Sequence, residues 1–383
     1  MNYRVLKRCN DLKVSEIALG CEGFINQSKE DFKAMIDRAL ELGINFIDMY
    51  TSNPVFRDNM GAAIAGRREQ VVLQGHIGAA WENGQYLRTR DIAKVKEAFE
   101  DQLQRLGTDY LDIGMIHYVD GAEDFEKVFH GEFIEYCKAL KEEGKIHALG
   151  MSSHNPTIAK KAVETGLIDV LMFSVNAAYD MLPPSEDCED LWNPENYKNG
   201  SDGIDPERKA LYELCEREGV AIDVMKAFGG GDMLSAEYSP LGIPFNEYQC
   251  IDYCLTRPGV VAVMAGCHSI EEMEKLMRYF EAPKEEKDYS TVLAKAEKFR
   301  LKGNCMYCGH CAPCTVGINV ADINKYLNLA LAQGEVPETV ADHYKLLEHH
   351  AAECVACGSC EKNCPFGVEI INRMKKAVEV FGY

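Results

Sequence analysis

The chain of 383 residues is 46% hydrophobic and carries a formal net charge of −20. A surface this acidic repels phosphate, which argues against nucleic acid or anionic lipid as a partner, and no apolar stretch is long enough to span a bilayer. Nine acidic and six basic side chains lie beyond residue 303, so most of the negative charge belongs to the part before it.

Through the first 283 residues, short apolar runs alternate with segments of helical period, the pattern of repeated strand-helix units and a parallel sheet. The predicted strands are Ile17–Gly20, Asn45–Asp48, Val71–Gln74, Leu111–Ile116, Ala148–Met151, Val170–Ser174, Ala221–Met225 and Val260–Met264. They precede predicted helices at Asp31–Leu42, Arg57–Ala65, Asp91–Leu106, Phe133–Glu143, Pro156–Thr165, Pro206–Glu218, Phe245–Arg257 and Ile270–Phe280. In the first helix Phe32, Met35, Ile36, Ala39 and Leu40 form one stripe, and Gly43 is its stop signal. Eight such units predict an α/β fold, a (β/α)8 TIM barrel over residues 1–283. A doubly wound open sheet is the rival, weakened because no glycine-rich dinucleotide fingerprint follows the first strand. The connection 177–205 is long for such a unit and reads as a lid or as a surface insertion.

After Pro283 the composition turns charged, and residues 284–303 read as a connecting helix. Residues 304–383 read as a small helix-rich domain, with helical periods at Val320–Gln333 and Thr339–Ala352. Eight of the sixteen cysteines fall here in two runs: Cys305, Cys308, Cys311, Cys314 and Cys354, Cys357, Cys360, Cys364, the last followed by Pro365. Three cysteines spaced by two residues wrap one loop around three irons of a [4Fe-4S] cube. In two-cluster ferredoxins the fourth thiolate comes from the other run. The expected sets are therefore Cys305, Cys308, Cys311 and Cys364 for one cluster, and Cys354, Cys357, Cys360 and Cys314 for the second. Zinc is the rival, but a four-thiolate zinc site uses two pairs and leaves the third cysteine of each run without a role. Disulfides fit less well, since no secretory segment precedes the chain. The thiols point to a reducing, anaerobic cytoplasm.

The motifs Gly43-Ile44-Asn45-Phe46-Ile47-Asp48, Leu106-Gly107-Thr108-Asp109-Tyr110-Leu111-Asp112, Met115-Ile116-His117 and Gly150-Met151-Ser152-Ser153 carry a resemblance. Residues 1–283 resemble an aldo/keto reductase, and the remainder resembles the tandem [4Fe-4S] extension of one branch of that superfamily. The resemblance implies carbonyl reduction with nicotinamide hydride by an aspartate, a tyrosine, a lysine and a histidine at the barrel mouth. Asp48 and His117 match the aspartate and histidine. The family tyrosine falls on Asn53, whose amide gives up no proton at neutral pH, and the lysine falls on His76. The family glutamine at the nicotinamide amide falls on Asn176, and Ser152 matches the first of a serine-asparagine pair. Glu271 and Glu272 stand where basic residues would hold the 2′-phosphate of NADPH, and they would repel it.

Asp48, His76, His117 and His154 are expected at strand ends on the C-terminal face, where barrel chemistry collects. Tyr50, two residues after Asp48, is the candidate for a relocated acid. Lys226, before Phe228-Gly229-Gly230-Gly231, is the candidate for binding a substrate carboxylate or a phosphate. The leading expectation is an iron-sulfur oxidoreductase passing electrons between two clusters and a small oxygenated substrate. A ferredoxin-like protein would be the electron donor, and NAD(H), NADP(H) or a flavin would be a further cofactor. The rivals are a nicotinamide-dependent reductase with structural clusters, an electron-transfer subunit, and an isomerase, lyase or hydrolase with a metal on His76, His117 and His154.

Overall fold

A computed structural model describes residues 1–201, 203–296, 303–331 and 336–383. It opens with a hairpin of β1 (Tyr3–Leu6) and β2 (Leu12–Ser15). Eight parallel strands then close into a barrel: β3 (Ile17–Gly20), β4 (Phe46–Met49), β5 (Val72–Ile77), β8 (Leu111–Ile116), β9 (Ile146–Ser153), β10 (Val170–Ser174), β11 (Ala221–Met225) and β12 (Val260–Gly266). Between β5 and β8 stands a second hairpin, β6 (Ala79–Glu82) and β7 (Gln85–Arg88). The expected (β/α)8 barrel is thus observed, with all eight predicted strands in it.

Eight helices alternate with the barrel strands, and a further one intervenes. They are α1 (Lys29–Glu41), α2 (Pro54–Ile64), α3 (Ile92–Leu106), α4 (Ala122–Phe129), α5 (Glu132–Glu142), α6 (Pro156–Glu164), α7 (Pro206–Glu218), α8 (Glu247–Leu255) and α9 (Ile270–Met277). Three begin with the same device. Asn53-Pro54, Asn155-Pro156 and Asp205-Pro206 place a side-chain acceptor at the cap and a proline, which needs no donor, at the first helical position. Helix α4 and both hairpins were not among the predicted elements.

Strand alternation sends every second side chain inward. Phe46, Val72, Ile113, Ala148, Val170, Ala221 and Ala262 fill the lower interior, and Leu6 and Val14 of the first hairpin cap it. The next positions up mix Met115, Met172 and Met264 with polar side chains. Asp48, Gln74 and Asp223 are buried there, with His76 above them on β5. The larger apolar layer lies between strands and helices, including Phe32, Phe56, Phe99 and Leu211. The long connection 177–205 packs through its own buried residues, Tyr179, Met181, Leu191 and Tyr197. Asp180 anchors it, accepting from Tyr253 Oη at 2.7 Å and from the Tyr212 hydroxyl.

In place of one connecting helix over 284–303 there are two single turns, α10 (Lys284–Lys287) and α11 (Ser290–Leu293). Asp288 leaves helical geometry between them and caps the second by accepting from Ser290 N. Residues 297–302 of that prediction lie outside the described residues. Then follow α12 (Val320–Leu331), α13 (Glu338–Lys345), α14 (Ser359–Asn363) and α15 (Ile370–Phe381). Helix α12 matches its expected start, while the expected residues 332 and 333 lie outside the described ones. Helix α13 ends seven residues early, with Leu346 as its cap. This region docks on the barrel flank. Arg257 Nη2 and Tyr289 Oη both donate to Met306 O at 2.5 Å, and Lys325 on α12 pairs with Glu216 on α7 at 3.6 Å.

Candidate functional site

Four side chains form a hydrogen-bonded chain at the C-terminal rim of the barrel. Asp48 Oδ1 lies 3.1 Å from His76 Nε2, and His76 Nδ1 lies 2.7 Å from His117 Nδ1. His117 Nε2 meets the hydroxyl of Tyr86. Gln74 Nε2 donates to the same Asp48 oxygen at 3.0 Å. Asp48, Gln74, His76 and His117 are all buried, while Tyr86 is 42% exposed.

The carboxylate sets the direction of every bond. As an acceptor only, Asp48 takes the Nε2 proton of His76, so the neutral His76 ring offers Nδ1 as an acceptor. His117 therefore donates from Nδ1, its Nε2 accepts, and Tyr86 donates to it. In this state a hydroxyl compound can donate to the Tyr86 oxygen while the phenol proton moves inward, as alcohol oxidation requires. One added proton, held on His76 against Asp48, reverses the bonds beyond His76. His117 Nε2 then donates to Tyr86, whose O–H is free to point at a substrate oxygen. Burial and the nearby His76 hold His117 well below the ordinary imidazole range. Burial pushes the Tyr86 phenol up to about 12.

Tyr86 comes from the hairpin that the predicted elements omitted. The signal was present: Asn83-Gly84 divides two short runs, and both residues take positive φ, +54° and +76°. Arg88 at the hairpin base donates to Tyr118 O at 2.9 Å, and Arg90 bonds Asp124 with two nitrogens, which tie the hairpin to the segment after β8. Tyr50 lies at the same rim, half-buried, its phenol raised by burial and by the charges of Glu22 and Asp48. The tyrosine that meets His117 is Tyr86. Asn53, at the position of the family tyrosine, caps α2, its Oδ1 accepting from Val55 N and Phe56 N.

Below the chain sits a second carboxyl. Asp223 is fully buried, neither of its oxygens has a partner, and Gln74 Oε1 is likewise unpartnered. Burial first, and then the Asp48 charge, push Asp223 well above the usual carboxyl range, with the Gln74 amide beside it. A neutral carboxylic acid here supplies an O–H to an interior that otherwise holds surplus acceptors.

Ser152 is buried, and its carbonyl accepts from Val119 N. Asn176 is 1% exposed, and its amide braces the turn after β10. Its Oδ1 accepts from Ala178 N and Tyr179 N, and its Nδ2 donates to Lys226 O at 3.0 Å. Lys226 takes φ +62°, where its side chain leaves the line of β11. Glu271 and Glu272 occupy the first turn of α9, and Glu272 accepts from His268 N. The three histidines considered together as metal ligands do not converge. His76 and His117 face each other, while His154 Nδ1 pairs with Asp120 at 2.9 Å.

In the C-terminal region each expected set of four cysteines lines one cavity. Cys305, Cys308, Cys311 and Cys364 surround one hollow, with Met306, Phe366 and Ile370 among the apolar walls. Cys314, Cys354, Cys357 and Cys360 surround the other, with Val316, Ile318 and Met374. Cys364 thus lies beside the first run and Cys314 beside the second. Four thiolates on one zinc ion stand roughly 3.8 Å apart. Among the described residues, the group whose ligand atoms all fall within 4.8 Å of one another contains none of these eight cysteines. The eight thiols thus stand farther apart than the ligands of a single four-thiolate ion.

Comparison with known proteins bears on the barrel. The aldo/keto reductase family model matches residues 16–249. The chain is 27% identical over 281 residues to the uncharacterized oxidoreductase YqkF of Bacillus subtilis, covering 70% of this chain and 87% of that protein. It is 25% identical over 239 residues to the NADH-specific methylglyoxal reductase of Escherichia coli, covering 57% and 64%. Among solved structures, the holo form of aldo-keto reductase AKR11C1 from Bacillus halodurans is similar, with TM-score 0.58 and 26% identity over 77% of this chain and 97% of that one.

Proposed function

The chain belongs to the aldo/keto reductase family, and from that membership we propose that its barrel interconverts a small carbonyl compound and its alcohol, with Tyr86 as the group that exchanges the proton. The observation that carries this reading is the chain from Asp48 through His76 and His117 to Tyr86. It restores a tyrosine acid to a rim that lacks one at position 53. Its acid and base forms differ by one proton on His76, and its only well-exposed member is the phenol.

A nicotinamide, when bound, would supply or accept hydride at the carbonyl carbon. The residues fit NADH better than NADPH, because the carboxylates of Glu271 and Glu272 at the head of α9 disfavour a further phosphate. Ser152, the remaining N–H of Asn176, and Lys226 are the groups left to orient it.

The C-terminal region, in the same proposal, holds two [4Fe-4S] clusters on the two cysteine sets. Such clusters supply single electrons at potentials set by burial and hydrogen bonding. The Cys305 set adjoins the barrel through Met306, whereas Cys357 and Val355 of the other set are exposed, which suits an outside donor of ferredoxin type. The reading is of a cytoplasmic iron-sulfur oxidoreductase. The experiment that tests it is anaerobic purification with both clusters filled, followed by visible absorbance on adding NADH, then NADPH, then methylglyoxal as a trial carbonyl. Bleaching by NADH, with a flavin-type group to split the hydride into single electrons, and recovery on adding the carbonyl is the expected result. Steady carbonyl reduction by NADPH in protein stripped of its clusters would overturn the electron-transfer part, and unchanged turnover in Tyr86→Phe would overturn the proton part.

A further inference from the structure

Asp120 follows β8, His154 follows β9, and Cys188 lies in the long connection that crosses above both. One ligand atom from each falls within 4.8 Å of the other two. We propose that these three residues bind a zinc-type divalent cation that fastens the 177–205 connection to the barrel rim, a site independent of the iron-sulfur and nicotinamide readings above.

The donor set has the chemistry of such an ion. A carboxylate, an imidazole and a thiolate are each common zinc ligands, and the two anionic ones balance its charge. Asp120 is buried, and its orientation is fixed from behind. Its Oδ1 accepts from Ser153 Oγ at 3.0 Å and from His154 N at 2.6 Å, which leaves Oδ2 to the His154 ring nitrogen 2.9 Å away. Asn155 Nδ2 donates to Asp120 O at 2.8 Å and stiffens the same turn. Such outer bonds are what hold a ligand in place for a metal.

The connection is brought to the site by contacts other than the three ligands. Glu186, two residues before Cys188, accepts from Ala122 N at 3.0 Å, and the Asp187 side chain accepts from Glu189 N to start the turn that carries the cysteine. The sulfur is thus delivered to the rim by the backbone. Tetrahedral ligands at zinc distances lie roughly 3.2 to 3.8 Å apart, so the observed trio closes on an ion with shifts of about 1 Å. Binding replaces the Asp120–His154 hydrogen bond with two metal bonds. The imidazole proton moves to Nε2 and the Cys188 thiol proton is released to solvent. Three protein ligands leave a fourth position for water.

The test uses the full chain, purified anaerobically with its clusters filled and titrated near neutral pH with zinc(II) against a fluorescent zinc indicator. One site per chain is expected, weaker by about tenfold or more in Cys188→Ser and by roughly 10- to 100-fold in Ser153→Ala, which keeps all three ligands. Zinc is also expected to slow trypsin cleavage after Lys198 in the wild type and not in Cys188→Ser. Equal zinc affinity and equal cleavage in wild type and Cys188→Ser would overturn the proposal, as would the absence of a zinc site in the wild type.

Discussion

Asn53 caps a helix at the position of the family tyrosine, and a phenol, Tyr86, meets His117 from a hairpin thirty-odd residues later. In the proposed function that phenol takes the acid role. Tyr86→Phe is expected to lower turnover by roughly 10²- to 10⁴-fold with little change in fold, and Tyr50→Phe by much less. The comparison of kcat between the two variants checks this, and equal losses would return the acid role to Tyr50. Glu213 offers a second prediction. It lines a cavity between α7 and the C-terminal region, its Oε1 has no hydrogen bond and stands 4.0 Å from Lys209 Nζ, and burial raises it to about 7. A carboxyl raised by folding favours the protonated form, so its stability contribution is complete below about pH 4.3 and is lost as pH rises through about 7. Glu213→Gln is therefore expected to exceed the wild type in stability at pH 8, by on the order of 3 kcal/mol, and to converge with it at acid pH. Thermal melts of the two proteins across that range measure the gap, and parallel curves would sink the assignment.

At the scale of elements, the barrel strands were legible because a parallel sheet buried on both faces needs nearly continuous apolar runs. The β6–β7 hairpin was not, because only Ala79 and Ala80 of it are buried, while Trp81 and Tyr86 are exposed, which leaves no alternating apolar face to read. Only the Asn83-Gly84 turn announces it. Close approach of helices is likewise invisible in the sequence until a glycine is explained. A Cβ at Gly61 on α2 would stand 2.2 Å from Arg105 O on α3, and that backbone has no room to yield cheaply. Gly61→Ala is expected to cost about 1–3 kcal/mol, read as a fall in the urea midpoint at unchanged slope. An unchanged midpoint would mean that the α2–α3 contact is looser than described.

At the scale of the whole molecule, the C-terminal region is joined to the barrel through Arg257. This buried guanidinium is 2% exposed and bonds Tyr253 O, Thr256 Oγ1, Tyr289 Oη and Met306 O. Tyr344 closes the far end, stacking on Phe381 at 4.0 Å and donating to Tyr383 O. If the two cysteine sets each hold a cube, Cys357→Ser is expected to lower iron from about eight to about four atoms per chain while the barrel's circular dichroism and melting persist. Unchanged iron content would refute the division of ligands.

The sequence by itself determined the barrel, through eight apolar runs at regular intervals, and the grouping of the cysteines, because three of each set lie in one short loop and their spacing is local. It also placed Asp48, His76 and His117 at strand ends, since strand position decides which rim a residue reaches. Only the tertiary structure decided what those residues touch. The pairing of His76 with His117, the arrival of Tyr86, the burial of Asp223 without partners, and the meeting of Asp120, His154 and Cys188 depend on side chains far apart in the chain. Their distances follow from barrel closure and loop packing, which no local pattern of residues encodes.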